Sequence, residues 1–237
     1  MIEYALLLAG AFVAAAISGS EGFGGALLLL PLLTHVVGVS AAVPLLTIAQ
    51  LVGNLSRVAF GVRDIRWRPV LLFLGTALPA AALGAWWFAA LPKALMVRGM
   101  GIAILIFVLL KLRGLTFTPS PRLLLIGGAV VGLLSGLVGS AGLLGAAIFL
   151  SLNLPPVAYV ASEATTAVVM HLVKWIVYDA AIDLGTDFWP LAAAVSVAMI
   201  AGTWAGKRVI ERLPVEKFQL LVAGLLTVTA VQMIVTG

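Results

Sequence analysis

Residues 17–33 read ISGSEGFGGALLLLPLL, and residues 134–150 read LSGLVGSAGLLGAAIFL. At a constant offset of 117, Ser18 falls on Ser135, Gly19 on Gly136, Gly22 on Gly139 and Gly25 on Gly142. The same offset carries the match outward: Val52 meets Val169, Asn54 meets His171, Leu55 meets Leu172 and Arg57 meets Lys174. After a short insertion Pro69 meets Pro190, and Leu91-Pro92 meets Leu213-Pro214. The chain is a duplication. Each copy holds an apolar segment interrupted by glycine, the sequence mark of a transporter whose site lies between two repeats.

Of the 237 residues, 63% are hydrophobic and 10% charged, with a mean hydropathy of +1.21. Soluble domains carry roughly 25% charged residues, so this chain cannot cover a water-facing surface and takes the bilayer as its solvent. Nearly all of it lies in apolar runs, which leaves no room for a soluble domain. The absence of cysteine excludes disulfides, thiolate metal sites and thiol chemistry. The net charge of +5 sits in short loops between apolar runs, as topology signals do; it is not a nucleic-acid patch. The first 17 residues are apolar but lack a basic start and carry Glu3. Their counterpart in the second copy is internal, so they read as a structural segment and not as a signal peptide.

Each copy contains five apolar segments. In the first they run about Tyr4–Ile17, Phe23–Val37, Ser40–Gly61, Pro69–Leu91 and Lys93–Leu112. In the second they run about Leu123–Leu134, Gly142–Leu152, Pro156–Asp179, Phe188–Ile210 and Val215–Val235. The last three of each copy are long enough to span roughly 30 Å of hydrocarbon. The first two are too short, since about 14 residues rise only about 21 Å. They form either a re-entrant hairpin or two short tilted crossings. Both choices give an odd number of crossings per copy once the three long helices are added, so the second copy is expected to be inverted.

The charges test this independently. Under that parity one face collects Arg57, Arg63, Arg66, Arg68, Lys111, Arg113, Arg122, Lys207, Arg208, Arg212 and Lys217. The other receives only Lys93, Arg98 and Lys174, together with Glu3 and the acidic loop of Asp179, Asp183 and Asp187. Eleven bases against three is a positive-inside signal. The expected fold is an all-α polytopic membrane protein of two inverted repeats. Each repeat has a glycine-broken pair of short helices followed by three long transmembrane helices. Residues 1–113 form the first repeat, 114–122 a cytoplasmic linker and 123–237 the second repeat, together one transmembrane domain with both termini outside the cytoplasm.

Polar residues fall in two places. Ser18, Ser20 and Glu21 lie among Gly19, Gly22, Gly24 and Gly25, and Ser135 and Ser140 lie among Gly136, Gly139, Gly142 and Gly145. Glycine lets the backbone leave helical geometry and approach a ligand, and non-helical backbone at membrane depth is tolerated only inside protein or beside a water-filled cavity. Helices starting near Phe23 and Ala141 would aim N–H groups at such a cavity, which favours an anion. Close helix packing is the other reading of these glycines. The third segments carry a polar stripe: Gln50, Asn54 and Arg57 in one copy, and Glu163, His171, Lys174 and Tyr178 in the other, with Thr165 and Thr166 nearby. Such groups face the protein interior, because lipid offers them no partner.

Arg57 and Lys174 then guard opposite approaches to a central anion site, or snorkel to the headgroups. Glu21, Glu163 and His171 are the proton-coupling candidates, as ionisable groups at membrane depth. His35 reads as interfacial. Trp67, Trp86, Trp87, Trp189 and Trp204 read as aromatic belt.

The two glycine clusters, GSEGFGGALLLLP (Gly19 to Pro31) and SGLVGSAGLLG (Ser135 to Gly145), resemble those of the sulfite exporter TauE/SafE family of membrane permeases. The resemblance covers essentially the whole chain. It implies movement of small sulfur-containing anions, such as sulfite or organosulfonates like sulfoacetate, across a bacterial inner membrane. The second copy departs from the first in carrying Ser140 and Ala141 where the first has Phe23 and Gly24.

The expected function is therefore a secondary transporter in which the two copies rock about a site. Ser18, Ser20, Gly22, Gly24, Gln50, Asn54, Arg57, Ser140, Gly142, Thr166, His171 and Lys174 are the expected substrate-binding residues. An anion channel of the same architecture, or a carrier of a different small anion, is the alternative. Catalysis is not expected: no serine–histidine or multi-carboxylate cluster stands at metal-ligand spacing. No cofactor and no metal are expected. The expected partners are a small anionic substrate, membrane lipid and a second copy in a homodimer.

Overall fold

Apolar runs bounded by proline, glycine and charged turns become helices here because lipid offers no partner to a free backbone N–H or C=O. The computed structural model describes residues 2–18, 25–113, 117–139, 141–186 and 188–210, and 224, 227, 228 and 230–235 beyond them. Its helices are α1 (Ile2–Ser18), α2 (Gly25–Val37), α3 (Val39–Gly61), α4 (Trp67–Ala90), α5 (Lys93–Leu112), α6 (Pro121–Val138), α7 (Gly142–Leu150), α8 (Pro156–Ala181) and α9 (Phe188–Ile210). A single 3-10 turn, Val62–Asp64, joins α3 to α4. No strand occurs among the described residues. Helices α3, α4, α5, α6 and α8 are long and apolar enough to cross a membrane, so the chain is a polytopic membrane protein. Leu71, Ile102, Ile126, Ile176 and Val197 point outward as an apolar surface, and Trp67, Trp86, Trp87 and Trp189 are exposed near helix ends, where aromatic belts sit.

Two lengths differ from the sequence expectation, that of α6 most. The segment expected at about Leu123–Leu134 is an 18-residue helix, Pro121–Val138, which rises about 27 Å and is not short. At its start Leu123 N donates to Ser120 Oγ at 3.0 Å, and Pro121 occupies the first turn, where its missing N–H costs nothing. At its end the helix runs on through Ser135 and Gly136 until Gly139 turns left-handed at φ 85°. The internal glycines are tolerated because they are packing sites. A Cβ at Gly128, Gly132 or Gly136 would run into the carbonyl oxygens of Phe73, Ala77 and Ala81 of α4, and Gly84 of α4 faces Leu133 O in return. Small residues let membrane helices approach at backbone distance in this way. α1 is also long, at 17 residues, whereas α2 has 13 and α7 only nine. Each pair is thus a long helix followed by a short one. The break between α1 and α2, residues 19–24, lies outside the described residues.

The packing ties the two copies together. α4 lies along α6, α1 along α9, and α3 along α8; α8 also touches α4, and α9 touches α3. If the copies are exchanged, so that α1 replaces α6, α3 replaces α8 and α4 replaces α9, this set of contacts is unchanged. Helix directions follow from paired residues. Gly128, Gly132 and Gly136 meet Phe73, Ala77 and Ala81 with numbers rising together, so α4 and α6 run parallel. Gly61 at the end of α3 faces Val157 and Ala161 at the start of α8, and Arg57 faces Glu163, so α3 and α8 run antiparallel. Edge-on ring pairs fix α4 against the second copy: Phe73 on Phe149 and Phe88 on Tyr178, each with centroids 5.4 Å apart.

Candidate functional site

The α6–α7 break is built from carbonyl oxygens that a regular helix would have used. Gly139 ends α6 in the left-handed region and Ala141 precedes α7 with φ −134°. Side chains from other helices satisfy the exposed carbonyls. Lys174 Nζ of α8 donates to Gly139 O at 3.0 Å, to Ser135 Oγ at 2.9 Å and to Ser135 O at 3.3 Å. Tyr178 Oη, one helical turn further, donates to Gly136 O at 2.5 Å. Gln50 Nε2 of α3 donates to Gly139 O at 3.3 Å. Lys174 and Tyr178 are both 0% exposed. The ammonium therefore sits against the negative end of the α6 dipole, and three acceptors take its three N–H groups. Complete burial removes the snorkelling reading for Lys174.

Along the α3–α8 contact the polar residues fall into layers. Arg57 Nη1 and Glu163 Oε2 stand 3.9 Å apart, a loose pair whose arginine is 32% exposed and whose glutamate is 12% exposed. Ser162 Oγ, fully buried, accepts from Arg66 N at 2.8 Å and fixes the start of α4 against α8. Between the Arg57–Glu163 pair and Lys174 lie Asn54, Thr166 and His171, all buried. Asn54 Nδ2 donates to Gln50 O at 2.9 Å, and Thr166 Oγ1 donates to Glu163 O at 2.7 Å. His171 Nδ1 is enclosed and has no hydrogen-bond partner. Among the described residues no carboxylate pairs with Lys174. A buried cation with no carboxylate partner among the described residues, beside an imidazole nitrogen without a partner, is an arrangement that attracts an anion.

Of the sequence candidates, Gln50 and Lys174 converge on Gly139 O and Arg57 meets Glu163, while Asn54, Thr166 and His171 are buried on the same two helices, α3 and α8. Gly142 opens α7 directly after the break. Ser18 is the last residue of α1. Ser20, Glu21, Gly22, Gly24 and Ser140 lie outside the described residues. His35 is exposed in the last turn of α2. The partners of Lys174 were not foreseen. Ser135 and Tyr178 stood out as polar residues in the glycine cluster and on the stripe, and Ser135 repeats Ser18, but the two bonds they join span 39 and 42 residues. The Ser162–Arg66 contact had no signal in the sequence.

The family model described as Sulfite exporter TauE/SafE matches residues 6–233. That is nearly the whole chain, and the chain belongs to this family of membrane transporters. No curated protein and no solved structure matches it.

Proposed function

We propose that this TauE/SafE family member is a secondary carrier of a small sulfur-containing anion, sulfite or an organosulfonate such as sulfoacetate, and works by alternating access across the inner membrane. The observation that carries this reading is Lys174: a fully buried ammonium at a helix break, on the interface between the two copies, with no carboxylate partner among the described residues. Ionisable groups inside the membrane mark substrate and ion pathways. Inversion of the two repeats is supported by equivalent helices, α3 and α8, running antiparallel against each other.

The moving bodies are then not the copies themselves. α4 and α6 meet backbone to backbone, and Gly202 of α9 faces the Phe12 carbonyl of α1; such contacts do not slide without a clash. One body contains α6, α7, α8 and α4, and the other contains α1, α2, α3 and α9. They meet at α3–α8, where the polar residues lie. Glu163, exposed to Arg57 at one end of that boundary, and His171 inside it are the coupling residues if a proton travels with the anion; Glu21 is the third candidate. The basic end, with Arg63, Arg66, Arg68 and Arg122, faces the cytoplasm, and the end with Asp179 and Asp183 faces outward, in accord with the positive-inside bias. Both termini are then outside.

Labelled sulfite and sulfoacetate flux into proteoliposomes, with and without a pH gradient, tests the reading. Saturable, counter-flow-stimulated flux that falls on removing the charge at Arg57 or Lys174 supports a carrier. Large unitary currents in a planar bilayer identify a channel instead. Absence of flux of either anion removes the substrate class.

A further inference from the structure

His171 occupies the position in α8 that repeats Asn54 in α3. Both are buried on the two helices, α3 and α8, along which the two bodies meet, Asn54 at 8% exposure and His171 at 4%. They differ in how they are satisfied. Asn54 donates to the Gln50 carbonyl of its own helix. His171 Nδ1 is enclosed without a partner, although leaving a buried polar group unsatisfied is costly and rare in native proteins. Lys174, one turn along the same face, shows the opposite condition: its three N–H groups are taken by Ser135 and Gly139. Lys174 brings charge to this interface but has no hydrogen to give. His171 has a ring nitrogen to give and no structural use for it.

We propose that His171 Nδ1–H is the donor that receives an oxygen of the transported anion, and that this anion carries a single charge. The proposal rests on the carrier reading above and narrows its substrate. Among the described residues the interface holds Arg57 and Glu163, which offset each other, and Lys174, which no described carboxylate offsets; Glu21, the third coupling candidate, enters this balance only as the protonated acid. A monoanion beside His171 neutralises Lys174. A dianion leaves one negative charge buried and unpaired, which disfavours its binding. The site thus takes a sulfonate or hydrogensulfite monoanion. A substrate with a second carboxylate, such as sulfoacetate, enters only with a proton. Lys174 is a positioning residue here: it holds the α6–α7 break and supplies potential without touching the substrate.

The test is direct binding of methanesulfonate, a monoanion, and sulfoacetate, a dianion, to the full chain in detergent at neutral pH, read by calorimetry. A second readout is ¹⁵N-histidine NMR, in which the chain's two histidines, His35 and His171, give separate signals. Methanesulfonate is expected to shift the His171 resonance and leave His35 in place. Sulfoacetate is expected to bind at least about tenfold more weakly, given the cost of the unpaired charge. His171→Ala should weaken methanesulfonate about 10- to 100-fold, as loss of a hydrogen bond to a charged group does. His171→Gln, which keeps an N–H donor, should restore most of that loss. Methanesulfonate binding that leaves the His171 resonance unmoved overturns the contact while the carrier reading stands, and this holds even if the variants do not fold. Tighter binding of sulfoacetate overturns the single-charge inference. Binding of neither anion by the wild type overturns the carrier reading together with both.

Discussion

Three glycine-to-alanine substitutions, one in the α4–α6 contact and two as controls outside it, add the same methyl group to three different surroundings. At Gly132 a Cβ would lie 2.9 Å from Ala77 Cα and closer still to its carbonyl oxygen. The obstacle is backbone in the middle of a helix, so it yields only if α4 and α6 part. At Gly10 the obstacle is the tip of the Leu32 side chain, which can rotate. At Gly75 nothing lies within 4 Å. Overpacking costs about 1–3 kcal/mol, and Gly132→Ala belongs at the upper end, about 2–3 kcal/mol, since neighbours at Gly128 and Gly136 are displaced with it. Gly10→Ala should cost under about 1 kcal/mol, and Gly75→Ala should be neutral or gain up to about 1 kcal/mol of helix propensity. At about 2–4 °C per kcal/mol, Gly132→Ala unfolds roughly 4–12 °C below the wild type. The six tryptophans report unfolding in detergent by fluorescence. If Gly132→Ala and Gly75→Ala melt at the same temperature, the backbone-to-backbone reading of α4–α6 is wrong, and with it the grouping of helices into bodies.

Four further outcomes follow from the same geometry. Tyr178→Phe keeps the ring on Phe88 but loses the bond to Gly136 O, and should lower stability by about 1 kcal/mol in denaturant titration. Lys174→Met leaves Ser135 O without its cross-helix donor and Gly139 O with Gln50 alone; about 1–3 kcal/mol is expected for each carbonyl stranded, and wild-type stability would show that the lysine does not hold the break. Glu163→Gln and Arg57→Gln separate a loose, partly exposed pair, so each should change stability by no more than about 1 kcal/mol while reducing anion flux, which a paired melt and flux assay checks. In this cysteine-free chain, Gly61→Cys with Ala161→Cys places two thiols on facing positions whose Cβ atoms must part from 2.7 Å to the disulfide spacing of about 3.8 Å. Oxidation should stop transport and reductant restore it; undiminished flux in fully cross-linked protein would refute α3–α8 as the moving boundary.

Periodicity and duplication made much of this architecture legible. The long apolar runs gave α3, α4, α5 and α8 near their observed ends, because hydrophobic length alone decides whether a helix spans. α6 runs past its expected end at Leu134 because Gly136, in the glycine cluster, does not interrupt it. Like Gly128 and Gly132 inside the expected segment, Gly136 brings the helix onto α4, and only Gly139, at the left-handed turn, ends it. Local sequence does not distinguish these two uses, since the difference lies in what faces the missing side chain. The polar stripe was legible because membrane helices turn such groups inward. What Lys174 does there was not: an i+4 rule can place it beside His171 and Tyr178, but the carbonyls it binds belong to another helix.

The exchange of helices between copies has a consequence for how the protein is made. α4 meets its parallel mate α6 after only a short further stretch of translation. α1 packs on α2 at once, but its Phe12–Ala15 face, which receives Gly202, has no mate until α9 leaves the ribosome, nearly the whole chain later. α1 is thus among the last helices to be fully docked, and until then this face is open to lipid, to the insertion machinery or to a stray segment. A severed first half carries the same vacancy permanently, so the two halves are expected to regain activity only when synthesised together.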